Sequence, residues 1–420
     1  MNDLLTHIAA CVGGAFEGTD TTVVRVTTDS RRANLPEGTL FVAIRGTNRD
    51  GHDYIEPLYR KGVRAFIVDG AVDVRRYPEA GFVRCDDSVA ALQRLAACFR
   101  DRIRGKVVAI TGSNGKTVTK EWIAQLCPPG VKLFRSPKSY NSQIGVPLSL
   151  LMTAGDEQIA VIEAGISRKG EMQSLERIVR PDIGIITNIG DAHQENFINL
   201  EQKCDEKMIL ARSASKIIYH SYYEPLGRMV AAHFADRRPV DAASYPEVPE
   251  SVIGNAASRR NAQIVEAFCD AMRYPAPSFA GAPSVAMRLE VKEGINDSIL
   301  INDAYNLDLN SLALALDYLH SVALSRRRTL VLSDISQSGL SDDELYGRVA
   351  GMVARAGIDF LIGIGPRLKR YAALFACDKE FFTATDECVA RINRDAVAGR
   401  AILLKGARDF RFEKLVHLLS

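Results

Sequence analysis

Apolar positions in this chain come in short runs, and what separates them changes along its length. Up to about residue 103, runs such as "TTVVRVTTDS", "GTLFVAI", "RAFIVD" and "GFVRC" read as strands, while "SVAALQRLAACFRDRIR" has helical spacing. From about residue 104 the alternation becomes regular. "KVVAIT", "VKLFRS", "QIAVIEAG", "DIGIITNIG" and "SKIIYH" are strand-like and are separated by helical stretches. Apolar strands alternating with helices predict a parallel sheet covered on both faces. A second series starts near Arg288, with strands "SILIND", "RTLVLSDI", "DFLIGIG" and "RAILLKG". Helices "SLALALDYLHSV" and "DDELYGRVAGMVARAG" lie between them. The stretch "YPAPSFAGAPSVA", residues 274–286, is rich in Pro, Gly, Ser and Ala and reads as a linker. The pattern predicts an α/β protein of three domains, 1–103, 104–285 and 286–420.

Composition changes this picture little. A chain of 420 residues suits two or three cores. Lys and Arg number 53 against 51 Asp and Glu, so no net field recruits nucleic acid or an acidic membrane. The eight cysteines are scattered without a C-x-x-C pair, which suggests reduced thiols in a cytoplasmic protein rather than a disulfide framework or zinc site. The opening "MNDLLTHIAACVGG" lacks a basic lead, and its apolar run is short for a signal. No segment reaches the roughly 18 uninterrupted apolar residues of a membrane span. The expectation is a soluble, cytoplasmic chain.

The chemistry gathers behind "VVAITGSNGKTVTKEW", Val107 to Trp122. An apolar strand, a Gly-rich turn, Lys-Thr and a helix form the grammar of a phosphate-binding loop. The common spacing G-x-x-x-x-G-K-[ST] would require Gly where this chain has Ile110. Gly112 and Gly115 allow a tight turn that brings backbone N–H groups to a ligand, and Ser113 and Asn114 lie between them. Lys116 supplies positive charge, Thr117 a hydroxyl suited to Mg²⁺, and the following helix its positive end. Taken alone, the stretch also fits a plain strand–turn–helix. Three further loops follow, "SYNSQIGVP", "VIEAGISRKGEM" and "TNIGDAHQENF", each at or just past a strand end. Sites in doubly wound sheets collect at the carboxyl ends of strands, so these loops should converge on the phosphate loop. Glu163 and His193 there could hold a divalent cation.

The ordered set "TGSNGKT", "YNSQIGVP", "EAGISRKGE", "TNIGDAHQENF", "NDAYNLDLNSL" and "LLKGAR" resembles the Mur ligase superfamily. The resemblance covers nearly the whole chain, and that superfamily's phosphate loop, T-G-[ST]-N-G-K-T, accounts for Ile110. It implies an N-terminal domain for the UDP-muramoyl substrate, a central ATPase domain with a parallel sheet, and a Rossmann-like C-terminal ligase domain. Within the superfamily, "TTDSRRANLPEGTLFVAIRGTNRDGHDYI", residues 27–55, and "NDAYNLDLNS" resemble the branch that adds D-alanyl-D-alanine. The D-N-P-R motif of the diaminopimelate-adding branch is absent, and the folate-polyglutamating relatives lack such an N-terminal domain. "AHQENF" and "LSDISQSG" resemble ligases fused ahead of an alanine racemase, which implies a racemase as fused or separate partner.

The implied reaction is ATP-driven amide formation. ATP phosphorylates the terminal carboxylate of a UDP-N-acetylmuramoyl tripeptide, and the amine of D-Ala-D-Ala displaces phosphate from the acyl phosphate. The resemblance assigns Lys116 and the loop amides to the phosphates, Thr117 and Glu163 to Mg²⁺, and His193 to a second Mg²⁺. Asn141 falls in the segment approaching phosphates and substrate. Lys207 aligns with a lysine that relatives carry as a carbamate, a form that requires a locally depressed amine pKa; the plain alternative is a helix-surface lysine. Arg288 and Asp303 match residues reaching back to ATP, with Tyr305 and Asn306 beside them. Lys405 and Arg408 match an element near the incoming peptide, or form a solvated basic turn. Asn261 matches an adenine-side amide, or is a helix-capping or exposed amide. Thr28, Asp29, Ser30 and Arg31 resemble the segment meeting the UDP-sugar, although such clusters also build ordinary turns.

One departure stands out. The stretch between Lys207 and Arg288 is short for the family, and "RRPVDAASYPEVPESVIGNAASRRN" shows little strand pattern, so part of the central flanking sheet is expected to be lost. Other readings stay open: another Mur-type ligase adding a different amino acid, a P-loop ATPase or kinase without ligation, and a silent nucleotide-sugar-binding module.

Overall fold

The computed structural model describes all residues except 1, 34, 47–48, 191–193, 281–284, 286–287, 324, 337 and 394–396. Three large sheets follow one another along the chain, with a two-stranded ribbon of Asp3–Leu4 and Thr22–Val23 at the start. The first sheet has five strands, in the spatial order Ala15–Gly18, Gly81–Arg84, Ala65–Val68, Thr39–Val42, Arg25–Thr27. Only the Ala15–Gly18 edge runs antiparallel to its neighbour.

The central sheet is parallel, with six strands ordered Val240–Asp241, Lys216–Tyr219, Ile183–Ile186, Lys106–Thr111, Ile159–Glu163, Leu133–Arg135. Val107 to Ile110 are fully buried. Burial on both faces is why this strand is continuously apolar, each buried Val or Ile contributing about 1.5–3 kcal/mol. The chain moves to one side of Lys106–Thr111 for its next two strands and to the other side for those after. That strand is therefore the switch point, where a crevice opens at the carboxyl ends.

The third sheet has six strands, ordered Glu290–Glu293, Ile299–Asp303, Ala401–Lys405, Arg328–Ser333, Phe360–Ile364, Asp378–Phe382. All pairs are parallel except the Glu290–Glu293 edge. One apolar cluster runs from Leu40 and Val83 of the first sheet, through the helix Ser88–Arg100, to Val107 and Ala160 of the central sheet. Asp87 starts that helix by accepting the Val89 and Ala90 amides.

Two expectations are modified. The stretch 237–261 contributes the two-residue strand Val240–Asp241 and the start of a long helix, Ala256–Ala271, capped by the Asn255 side chain on the Ser258 amide. Between Ala242 and Asn255 it forms no strand. The 274–286 stretch contains an anchor: Phe279 is buried, its ring 5.7 Å from that of Trp122 on the central domain. No helix among the described residues is long and apolar enough to cross a membrane, and all eight cysteines are free.

Candidate active site

The phosphate loop leaves the switch-point strand at Thr111 and enters the helix Lys116–Leu126. Gly112 has φ 144°, and a Cβ there would stand 2.0 Å from Thr187 Oγ1. Gly115, at φ 82°, caps the helix without a side-chain partner and lies against the Asn261 amide. No other residue fits both the backbone and the space, so the two glycines set the loop. The neighbouring strand end braces it: Ser113 N–H donates to Asn188 O at 3.0 Å and Asn114 N–H to Asn188 Oδ1 at 2.8 Å. The helix's first turn, with no side-chain cap, faces the crevice as an anion-binding end.

Lys116 Nζ donates to the loop's own carbonyls, Gly112 O at 2.7 Å and Ser113 O at 3.0 Å. Desolvation pushes its pKa down, only partly offset by Glu163 and Asp308. The register pairs Glu163 with Ile110, which puts its carboxylate directly beside the loop. Thr117 Oγ1 donates to Glu163 Oε2 at 2.9 Å, and Asn141 Nδ2 to Oε1 at 2.7 Å. A hydroxyl and a carboxylate at one edge of a phosphate cradle form a hard oxygen donor set suited to Mg²⁺ completed by phosphate and water oxygens. Among the described residues no three His, Cys, Asp or Glu side chains cluster as a metal site. His193 lies outside the described residues.

Sequence reasoning missed Lys120, one turn beyond Lys116. It is fully buried, with Nζ 3.5 Å from Glu163 Oε2, and it also bonds the Lys138 carbonyl. A lysine on the first turns of an exposed-looking helix reads as solvated, so nothing local marks it. Lys207, on the helix Leu200–Met208, is buried at 3% exposure, which removes the surface-lysine alternative. Its Nζ donates to Gly112 O at 3.3 Å. Desolvation, then the charges of Lys116 and Lys203, lowers its pKa well below the ordinary lysine value. That is the condition a carbamate requires.

The third sheet closes the crevice. Asp303 and Lys405 are register partners at adjacent strand ends, and Lys405 Nζ donates to Asp303 Oδ2 at 2.6 Å and to Asn306 O at 2.7 Å. Lys405, only 1% exposed, is an internal strut rather than a solvated turn. The Arg288 guanidinium lies 4.3 Å and that of Arg408 5.5 Å from the Tyr305 ring centre, and Arg408 also pairs with Glu413. Asn114 Nδ2 meets Asp308 Oδ2 at 3.5 Å, a contact from the loop to the third domain. The resulting cleft, about 780 Å³, is lined by the loop from Ser113 to Val118, Asn141, Glu163, Asn261, Arg288, Asp303, Tyr305 and Lys405. A smaller recess on its flank joins Lys116, Asn141, Lys207, Tyr305 and Asn306. Asn261 is buried inside its helix at 8% exposure, away from the helix cap.

A separate groove of about 1510 Å³ lies between the first and central domains, lined by Thr28, Asp29, Arg32, Ser139, Tyr140 and Ser142 among others. The turn Ser30–Arg32 places Ser30 and Arg31 outside this lining. Arg31 is exposed and folds back on Asp29 at 2.9 Å. Arg32 faces the groove instead and bonds the Tyr140 hydroxyl across it.

Three family descriptions match in succession: Mur ligase family, catalytic domain at residues 22–100, Mur ligase middle domain at 110–240, and Mur ligase, glutamate ligase domain at 287–408. The chain belongs to the Mur ligase family. It is 26% identical to the UDP-N-acetylmuramoyl-tripeptide–D-alanyl-D-alanine ligase of Bacillus subtilis, over 94% of this chain and 93% of that one. With the enzyme of the same name from Escherichia coli it shares 25% over 99% and 98%. In three dimensions it resembles a crystal structure of MurF from Acinetobacter baumannii, with TM-score 0.83 and 21% identity over 100% and 99% of the two chains. A MurF ligase from Thermotoga maritima, solved in complex with ADP, superposes with TM-score 0.75 at 21% identity, covering 94% and 96%. Those likenesses establish the three-domain fold of this Mur ligase family member.

Proposed function

We propose that this chain is an ATP-dependent ligase that joins D-Ala-D-Ala to a UDP-N-acetylmuramoyl tripeptide in the synthesis of peptidoglycan precursors. The observation that carries the reading is the convergence on one crevice of Lys116, Thr117, Glu163 and Lys207 from the central domain with Asp303 and Lys405 from the third. End-to-end likeness to ligases of that name supports the substrate assignment.

A carboxylate lacks a leaving group, and phosphorylation supplies one. The loop amides and Lys116 hold the transferring phosphoryl group, while Asn141 steadies Glu163. The UDP-sugar occupies the groove at Thr28, Asp29 and Arg32, with Ser30 and Arg31 at its rim, so the peptide stem runs past Asn141 towards Lys207. Asn261, Arg288 and Asp303 take the nucleotide side, Tyr305 and Asn306 line the meeting point, and Lys405 and Arg408 fix that wall. Holding two mutually repelling anions in line is the main task of such a site. Thr117, Glu163 and His193 would hold Mg²⁺, which neutralises phosphate charge when bound. The low pKa of Lys207 supports a carbamate there, giving a further oxygen donor. Residues 1–103 serve the sugar nucleotide, 104–285 ATP and 286–420 the acceptor, and the free cysteines support a cytoplasmic setting.

Isotope transfer tests the acyl phosphate. With heavy oxygen in the tripeptide's terminal carboxylate, one label should appear in released phosphate for each amide formed. Unlabelled phosphate would rule the step out.

A further inference from the structure

The helix Leu200–Met208 carries a second buried lysine, one that the proposed reaction does not use. Lys203 is 0% exposed and stands one turn before Lys207 on the same face of that helix. Its place is unfavourable on three counts. Burying an ammonium group is costly unless its partners repay the lost hydration. A cation near the start of a helix opposes the helix dipole. Lys203 also acts on Lys207 as a like charge. Side chains kept against such costs collect at functional sites. What Lys203 touches supplies the reason. Its Nζ donates to Gly190 O at 2.7 Å. The same carbonyl accepts the Ser113 hydroxyl at 3.1 Å, and the Gly190 amide donates back to Ser113 Oγ at 2.9 Å. Ser113, a residue of the phosphate loop, is thereby locked to the segment that follows the strand Ile183–Ile186. That segment also holds the rest of the turn, since Thr187 Oγ1 donates to Asn114 O at 2.5 Å and Asn188 takes the Ser113 and Asn114 amides.

We infer that Lys203 is a positioning residue for the nucleotide. Acting through Gly190 and Ser113, it fixes the turn so that the first amides of the helix Lys116–Leu126 meet the phosphates. A charged donor suits that task, because its hydrogen bond is stronger than a neutral one and holds the segment when an anion pulls on the loop. Lys207, one turn on, ties the same helix to Gly112 O, so the two lysines grip the loop assembly at two carbonyls. This goes beyond the ligase reading but rests on its nucleotide site.

The test pairs Lys203→Met, which keeps the length of the side chain without charge or donor, with Ser113→Ala, which removes the hydroxyl through which it acts. Calorimetry should show ADP bound about 10-fold more weakly by Lys203→Met, with KM for ATP raised about as much and KM for the UDP-N-acetylmuramoyl tripeptide within about twofold of wild type. Ser113→Ala should weaken ADP binding too, and the double variant should be at most about twofold worse than the weaker single one, since both break one linkage. If Lys203→Met does not fold, Lys203→Gln, which keeps a donor and loses the charge, is read by the same two KM values. A lysine that merely fills the core would lower the unfolding midpoint and leave both KM values alone. That result, or losses that multiply in the double variant, would overturn the assignment. Failure of wild type to bind ADP would refute the nucleotide site itself, a distinct result.

Discussion

Replacing Lys120 by Met tests the least expected part of the site. Its ammonium and the Glu163 carboxylate are both buried, at 0% and 1% side-chain exposure, with 3.5 Å between Nζ and Oε2. At an effective dielectric of about 20, that separation corresponds to roughly 5 kcal/mol of attraction. Methionine keeps most of the volume but leaves the Glu163 carboxylate, among the described residues, with the Thr117 hydroxyl and the Asn141 amide as its remaining side-chain donors. Breaking a buried pair from one side costs about 3–5 kcal/mol. The chain's single tryptophan, Trp122, sits two residues further along the same helix and is 6% exposed, so its fluorescence follows the unfolding of this domain. With a urea m-value of about 2 kcal/mol/M, the midpoint should fall by about 1.5–2.5 M. Glu121, whose Oε1 lies 3.4 Å from Nζ, keeps its pair with Arg135, so adding Glu163→Gln removes the buried charge that Lys120 neutralised and should recover more than half of the loss. A midpoint shift below about 0.3 M, or two substitutions whose effects simply add, would refute the pairing argument.

Further outcomes follow from the same geometry. Lys116→Ala should keep its circular dichroism and lose at least ~10²-fold in ligation, because one phosphate-clamping charge is gone; near-normal turnover would remove it from the site. Gly112→Ala forces a Cβ against Thr187 Oγ1 at φ 144°, so calorimetric binding of ADP should vanish before the fold does; unchanged affinity would contradict the cradle. Lys207 titrates well below its unfolded value near ~10.4. Between the two pKa values the unfolded chain holds the extra proton, so stability should rise with pH in carbon-dioxide-free buffer, and Lys207→Met should flatten that rise. Parallel pH profiles would place the amine in water. Lys207→Ala should also lose most activity and regain part of it with short carboxylic acids, which can offer oxygen where a carbamate would; full activity without additive would exclude the carbamate.

The loop side of the candidate site was legible because its residues are local in sequence. A strand, two glycines, Lys116 and Thr117 occupy one short stretch, and strand-end loops converge by topology. Residues whose role depends on register were not legible. Arg31 and Arg32 are adjacent, and only the Ser30–Arg32 turn decides that Arg32 faces the groove. Lys120 and Asp308 gain meaning from partners far away in the chain, Glu163 and Asn114. Edge strands were also hidden: Glu290–Glu293 and Asp378–Phe382 are charged on one or both faces, with no apolar run to mark them. The Pro-rich 274–286 stretch reads as a linker by composition, and only the packing of Phe279 on Trp122 shows that it is held.

In the proposed reaction ATP cleavage is coupled to making one amide bond. Purified protein would be incubated with UDP-N-acetylmuramoyl tripeptide, ATP and D-Ala-D-Ala, and mass spectrometry would follow every product, with single omissions as controls. The expected products are a UDP-N-acetylmuramoyl pentapeptide, one ADP and one phosphate for each amide, with negligible steady ATP turnover when either peptide is left out. ATP consumed at the same rate without D-Ala-D-Ala, or tight binding of the UDP-substrate with no turnover, would contradict that coupling.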